Sequence, residues 1–302
     1  MNYVDLQVNG FGGVDFNSEE LTAEGLHKAC QQLRDSGVAK ILATIITEHI
    51  PTMCARLSKL AKLRAADELA RDVIAGVHIE GPFINETPGY RGAHPADAIR
   101  PADVDAMQQM LDAAEGLTKL VTLAPERDDG LKVTSLLAKQ NVVVSAGHCD
   151  ASYDQLKAAA DAGLSLYTHL GNGCPMQMHR HDNIVQRVLS LSDRIRPCFI
   201  ADGVHVPLFA LKNYLRCAGI ERSIVVTDCI AAAGLGPGRY RLSRWEILIG
   251  EDLAARAPDG SHLVGSAMTM PQNAHNLEHE LGLSEREIEL LLVQNPAKAI
   301  GL

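Results

Sequence analysis

Residues 141–172 read NVVVSAGHCDASYDQLKAAADAGLSLYTHLGN. Val142, Val143 and Val144 form a β-branched run without charge, the pattern of a strand covered on both faces. Ser145-Ala146-Gly147 lets the chain turn. Ser152 then caps a helix that reaches about Ala162, and Gly163 stops it. Leu164 to Tyr167 is a second apolar run. Strand, helix and strand in that order predict two parallel strands joined by a crossover. His148 stands just past the first strand and His169 just past the second. Both imidazoles are therefore expected at the same carboxyl edge of one sheet. Two neutral imidazoles meeting there make half of a metal site. The competing reading, a core histidine or a cap, suits a lone His better than a pair at equivalent strand ends.

The same alternation runs along the chain. Strand patterns fall at 3–8, 40–47, 73–80, 117–124, 142–146, 166–169, 198–201 and 224–227. Helical patterns fall between them at 19–36, 52–69, 101–115, 130–140, 152–162, 184–191 and 207–218. Pro101 fits a first helical turn, and Gly37 and Gly219 fit helix stops. Such alternation predicts a parallel sheet of class α/β, and eight strands predict a closed (β/α)8 barrel. An open doubly wound sheet is the rival, weakened because no GxGxxG follows the first strand. A barrel of this kind takes about 250 residues, so the expectation is one domain over residues 1–302, closed by two C-terminal helices at 271–281 and 284–293. The Gly- and Pro-rich stretch 234–265, with the single Trp245, reads as a loop carrying a hairpin.

Composition narrows the partners. A net charge of -9 argues against nucleic acid or an anionic membrane as a general partner. No apolar run approaches the ~20 residues of a membrane span. Seven scattered cysteines without a CxxC pair suit free thiols in a reducing compartment. With a strand pattern starting at Tyr3, no signal peptide is expected and the cytoplasm is the expected location.

In a barrel of this type the chemistry lies at the carboxyl ends of the strands. The first strand ends DLQVNGFGG, where Gln7 and Asn9 alternate with apolar neighbours and face the mouth as hydrogen-bonding amides. The third ends VHIEGPFIN, with Glu80 at its tip, where a carboxylate is expensive unless paired or bound to metal. His78 shares the strand face of Glu80 and reads as an interior residue. Glu80, His148 and His169 together give one carboxylate and two imidazoles, the three-ligand pattern of a catalytic zinc site with an open position. Iron accepts the same donors. Asp202 and His205 lie at the tip of the seventh strand, Asp202 as a cap or a site residue. Asp228 ends the eighth strand, where a carboxylate beside a metal serves as base and then acid. His94, in GYRGAHP, reaches over the mouth. Arg180, in His179-Arg180-His181, suits an anionic group, since a guanidinium forks onto phosphate; a solvated loop is the alternative.

These stretches, in order, resemble a known family. DLQVNGFGGVDFN, HIEGPF (78–83), GAH (92–94), LAPE (123–126), SAGH (145–148), THLGN (168–172), ADGVH (201–205), VTD (226–228), GSAMTM (265–270) and the terminal NPAKAIGL are similar to the N-acetylglucosamine-6-phosphate deacetylases of the amidohydrolase superfamily. Each is weak alone; the ordered set spans nearly the whole chain. The resemblance implies that Glu80, His148 and His169 bind one divalent metal. Gln7 and Asn9 match the family's Gln-x-Asn in place of His-x-His, which implies one ion rather than two. It implies Asp228 as general base then acid, and His94 as the group that positions or polarises the acetyl carbonyl. His205 and the backbone around Asn172 and Gly173 would hold the sugar, Arg180 would bind phosphate, and the assembly would be a homodimer. The implied reaction is hydrolysis of the N-acetyl amide of N-acetylglucosamine 6-phosphate. A galactosamine isomer, an unphosphorylated amino sugar and a non-catalytic sugar-phosphate binder are the alternatives.

Three departures stand out. The family's small β-sandwich, built from both chain ends, is expected to be missing. Gly171 and Cys174 replace an aromatic residue and Met, and His181-Asp182-Asn183 follows Arg180 in place of Glu-Pro-Gly.

Overall fold

A computed structural model describes residues 1–242, 245–260 and 262–302. Eight strands form one sheet: β1 (Tyr3–Val8), β2 (Val38–Ile46), β3 (Ile74–Glu80), β4 (Thr118–Leu123), β5 (Val143–Ala146), β6 (Leu164–Tyr167), β7 (Arg196–Ile200) and β8 (Ile224–Val226). Neighbours in sequence are neighbours in the sheet, and every pair is parallel. The helices α1 (Ala23–Asp35), α2 (Ile50–Ala66), α3 (Glu68–Val73), α4 (Val104–Ala113), α5 (Lys132–Lys139), α6 (Tyr153–Asp161), α7 (Ile184–Leu189) and α8 (Leu208–Ala218) make the crossovers. The fold is the expected (β/α)8 barrel. Val4, Leu6, Leu42, Leu120, Leu166, Ile200, Ile224 and Val226 form a cluster of their own, joined by Ile300, just past the last helix Asn295–Ala299. Such a plug makes the barrel interior a packed core, leaving only the mouth for chemistry.

The ring closes by an unusual seam. Between β1 and β8 the parallel bridge is confined to Val8 and Cys229, with the Asn9 N–H donating to the Cys229 carbonyl at 2.8 Å. Below it a carboxylate takes over. Asp5 accepts from Thr227 Oγ1 at 2.5 Å, from the Thr227 N–H at 3.2 Å and from the Gln7 N–H at 3.2 Å. Burial raises the Asp5 pKa to about 7, against the pull of those donors and with Asp228 adding to the rise. The folded chain therefore holds a proton here that the unfolded chain releases near pH 4. Stability is fully present below that pH and declines as pH rises towards 7, by up to roughly 4 kcal/mol. Asp5→Asn should flatten this decline, so the gap in melting temperature between variant and wild type should change between pH 4 and 8. Parallel pH curves for the two proteins would refute it.

Caps decide where the helices begin. The pattern at 19–36 becomes a helix only from Ala23, because the Thr22 side chain accepts from the Gly25 N–H. The pattern at 52–69 splits: Asp67 is extended and caps α3 through the Ala70 N–H. Ser152 caps α6 as expected, in a capping box with Gln155.

The stretch 234–265 is more than a loop with a hairpin. It contains four antiparallel strands, β9 (Gly238–Leu242), β10 (Trp245–Ile249), β11 (Ala254–Arg256) and β12 (Leu263–Ser266), in that spatial order. Leu242, Ile247, Ile249, Ala255 and Val264 bury one face against Ile230 and Ala232, with Ile46 and Ala93 packed alongside. A bridge from Ser266 to Cys229 joins β12 to the end of the barrel seam. The alternation is present in Tyr240/Leu242 and Ile247/Ile249, but the strands are short and Gly and Pro interrupt them. No helix among the described residues is long and apolar enough to cross a membrane, and all seven cysteines are free.

Candidate metal centre and active site

Three of the expected residues converge. Glu80 Oε1 lies 3.2 Å from His148 Nε2 and 3.0 Å from His169 Nε2, and the two nitrogens are 3.1 Å apart. All three residues are buried. A tetrahedral ion with bonds of about 2.0–2.1 Å sets its ligands about 3.3 Å apart, close to these separations. The His148 Nδ1–H donates to the Tyr90 carbonyl at 2.8 Å, so its Nε2 lone pair is the one turned to the cluster. Gln7 Nε2 donates to both Glu80 oxygens, at 3.2 and 3.1 Å. Burial pushes the Glu80 carboxyl up, yet the two imidazoles outweigh it and hold the group well below its usual range. The donor set, buried and partly pre-oriented, fits a divalent metal.

Backbone strain marks the same places. His148 (φ 51°), His169 (φ 34°) and Asp228 (φ 51°) are all in the left-handed region that β-carbon sterics disfavour. The turn at each strand tip throws the side chain back over the barrel mouth. Two loops approach His148 closely. A β-carbon on Gly173 would sit 2.8 Å from His148 Nδ1, and one on Gly92 3.1 Å from its Cε1. Both glycines also have positive φ, so any other residue at either position would be strained. Gly173 thus meets the imidazole itself, a contact that sequence reasoning did not anticipate.

Asp228 is held at the mouth by Asn9, whose Nδ2 donates to Oδ1 at 2.8 Å. Burial, then the nearby Glu80, raise its pKa to about 6; His169, His205 and Asn9 pull the other way. His94 stands beside the trio, its Nε2 3.2 Å from His148 Nε2. Burial, then His148, depress its pKa to about 3, so the ring is neutral, and its buried Nδ1 has no hydrogen-bond partner. The second sheet packs on Ala93 and so backs the His94 loop. His78 lies in the interior as expected, with Nε2 2.8 Å from Thr122 Oγ1 and a pKa driven to about 4, chiefly by burial.

The proposed substrate-binding residues are less uniform. Asn172 Nδ2 donates back to the His169 carbonyl at 3.2 Å. His205 pairs with Asp202, Nδ1 to Oδ2 at 2.6 Å. Burial raises the Asp202 carboxyl, but His205 and the N–H groups of His205 and Val204 bring it below its usual range. Arg180 is exposed on the 171–182 loop. The departure after Arg180 has a structural content: Asn183 caps α7, while Arg187 Nε binds Asp182 at 2.6 Å and its Nη1 binds Asp150 at 2.9 Å. This tether joins the Arg180 loop to the segment just after His148. Asp5, the Tyr90 carbonyl and Gly92 were not singled out in the sequence. The i, i+2, i+4 spacing of Asp5, Gln7 and Asn9 was the available signal for the first.

Comparison with known proteins bears on this arrangement. No protein-family model matches the chain. The N-acetylglucosamine-6-phosphate deacetylase of Bacillus subtilis (strain 168) is 31% identical over 301 residues, 99% of this chain and 74% of the relative. An N-acetylgalactosamine-6-phosphate deacetylase of Escherichia coli O157:H7 is 30% identical, over 99% of this chain and 77% of the relative. Among solved structures, a mutant N-acetyl-D-glucosamine-6-phosphate deacetylase from Mycobacterium smegmatis, in complex with N-acetyl-D-glucosamine-6-phosphate, superposes with a TM-score of 0.90 at 31% identity, covering 100% of this chain and 77% of that one. With these relatives matched along its whole length, the chain belongs to the N-acetylglucosamine-6-phosphate deacetylase family.

Proposed function

We propose that this protein hydrolyses the N-acetyl amide of N-acetylglucosamine 6-phosphate, yielding glucosamine 6-phosphate and acetate. The observation that carries the reading is the convergence of Glu80, His148 and His169, with Asp228 at the same mouth. These three residues would hold one divalent ion, zinc by the chemistry of a two-histidine, one-carboxylate set with an open position. A divalent ion so placed supplies a Lewis acid and an acidified water. Asp228 takes a proton from the water that attacks the acetyl carbonyl carbon, and returns it to the nitrogen as the C–N bond breaks. Neutral His94 faces the carbonyl oxygen as it gains charge. Gln7 and Asn9 hold Glu80 and Asp228 in place. His205, Asn172 and Gly173 line the sugar side, and Arg180 takes the phosphate.

The same reading places residues 1–302 in one catalytic unit, in the cytoplasm, where its free thiols are stable. It also implies a homodimer, the assembly that the family resemblance implies. The galactosamine isomer is the second reading, favoured by the 30% identity to its deacetylase.

Acetate release from the zinc-loaded protein, measured on both sugar phosphates and on unphosphorylated N-acetylglucosamine, tests the assignment. Arg180→Ala should raise KM for the phosphorylated sugar about tenfold or more and leave the unphosphorylated one unaffected. No acetate from any of the three, with metal bound stoichiometrically, would sink the deacetylase reading. Equal effects of Arg180→Ala on both kinds of substrate would remove Arg180 from the phosphate site.

A further inference from the structure

The stretch LAPE (123–126) runs off the end of β4, and its Glu126 is not one of the buried trio. The carboxylate stands between two loops instead. Glu126 Oε1 accepts from Asn85 Nδ2 at 2.9 Å, in the loop after β3, and from the Asp150 backbone N–H at 2.6 Å, in the turn after β5. Oε2 is buried and, among the described residues, has no hydrogen-bond partner. Asn85 in turn donates its own N–H to the His148 carbonyl at 2.9 Å. Further along the same loop, the Tyr90 carbonyl takes the His148 Nδ1–H. His148 is thus held at its carbonyl and at its ring by a loop that Glu126 ties down, and the same Glu126 oxygen holds the amide of Asp150. The grip matters because His148 is in the left-handed region, at φ 51°, from which an unrestrained histidine relaxes.

We propose that Glu126 is a positioning residue for His148: its single oxygen Oε1 joins the β3 loop to the β5 turn and holds the strained backbone, so that His148 Nε2 stays aimed at Glu80 and His169. The inference rests on the reading of those three residues as metal ligands and extends it to the group that sets one of them. Two donors meet at one oxygen, so the position requires an acceptor rather than a charge. Glutamine meets that requirement. Its amide oxygen takes the place of Oε1, because its nitrogen there would face two donors. Alanine removes both hydrogen bonds at once. The ion pair of Arg127 with Glu86, at 3.2 Å, still joins the β3 loop to the end of β4, so the fold should survive the change.

Zinc affinity tests this apart from turnover, read by competition with a metal indicator on metal-free protein well below its melting temperature. Glu126→Ala should weaken binding roughly 10–100-fold, the range for losing the support behind a metal ligand. Glu126→Gln should bind zinc as the wild type does. Glu86→Ala breaks the neighbouring ion pair and leaves Oε1 untouched; it too should bind as the wild type does, which separates loss of the oxygen from mere loosening of the loop. Asn85→Ala removes one of the two hydrogen bonds and should weaken binding in the same direction, less than additively with Glu126→Ala. It carries the test if Glu126→Ala does not fold. Unchanged zinc affinity in Glu126→Ala, or in Asn85→Ala where that variant stands in, would overturn the proposal alone and leave Glu126 as a brace between loops. So would a loss in Glu126→Gln, or in Glu86→Ala, as large as that in Glu126→Ala. A wild-type protein that binds no divalent ion would overturn this proposal together with the metal-site reading beneath it.

Discussion

Asp228→Asn is expected to lower acetate release by roughly 10³–10⁴-fold while the bound metal stays stoichiometric. The expectation follows from what Asp228 touches. It sits past the end of β8 in a left-handed conformation, and Asn9 Nδ2 fixes its Oδ1 at 2.8 Å. An asparagine is nearly isosteric and can accept the same hydrogen bond, so the loop should keep its shape. What it cannot do is take a proton from the attacking water or return one to the amine. Burial and Glu80 together hold the carboxyl at about 6, close to the neutral range in which a base is most useful. Steady-state kinetics and metal analysis on the same preparation separate the two properties. A variant that kept most of its turnover would show that another group moves the proton.

Glu80→Gln should remove both properties together. Glu80 is the carboxylate of the buried trio, with His148 Nε2 and His169 Nε2 at 3.2 and 3.0 Å from one of its oxygens. Its amide replacement has no negative charge to offer and turns one donor toward the cluster, where only acceptors are useful. Metal affinity should fall by more than the ~10–100-fold typical of losing a supporting hydrogen bond, and turnover should fall with it. Gln7→Ala supplies the internal comparison, because Gln7 only supports Glu80 through its Nε2. Its effect should stay within that ~10–100-fold range. Competition with a metal indicator gives both affinities. If Glu80→Gln bound metal as tightly as Gln7→Ala, Glu80 would not be a ligand.

Much of this was legible in residue order. The β-branched run at Val142–Val144, the Ser152 cap and the Gly163 stop specify one strand–helix–strand unit locally, and the rest of the chain repeats it. Because a parallel barrel puts every strand's carboxyl end at one mouth, His148, His169, Glu80 and Asp228 could be gathered from strand ends alone. Short strands interrupted by Gly and Pro were harder to read. The sheet from Gly238 to Ser266 takes its stability from burying one face on Ile230 and Ala232, a long-range contact that no local pattern encodes.

By itself, then, the sequence determined the barrel, the edge at which the chemistry gathers and the kind of side chains that gather there, since periodicity and capping are local properties. Only the tertiary structure decided the polarity and reach of those side chains. It turned the His148 Nε2 inward through the Tyr90 carbonyl, brought Gly92 and Gly173 up against that ring, and gave Asp202 to His205. It also closed the seam with Asp5 and left Arg180 exposed on a loop tethered by Arg187. The physical reason is the same in each case. A hydrogen bond or a steric clamp between residues far apart in sequence depends on angles and distances of a few tenths of an ångström, which the packed barrel sets and residue spacing does not.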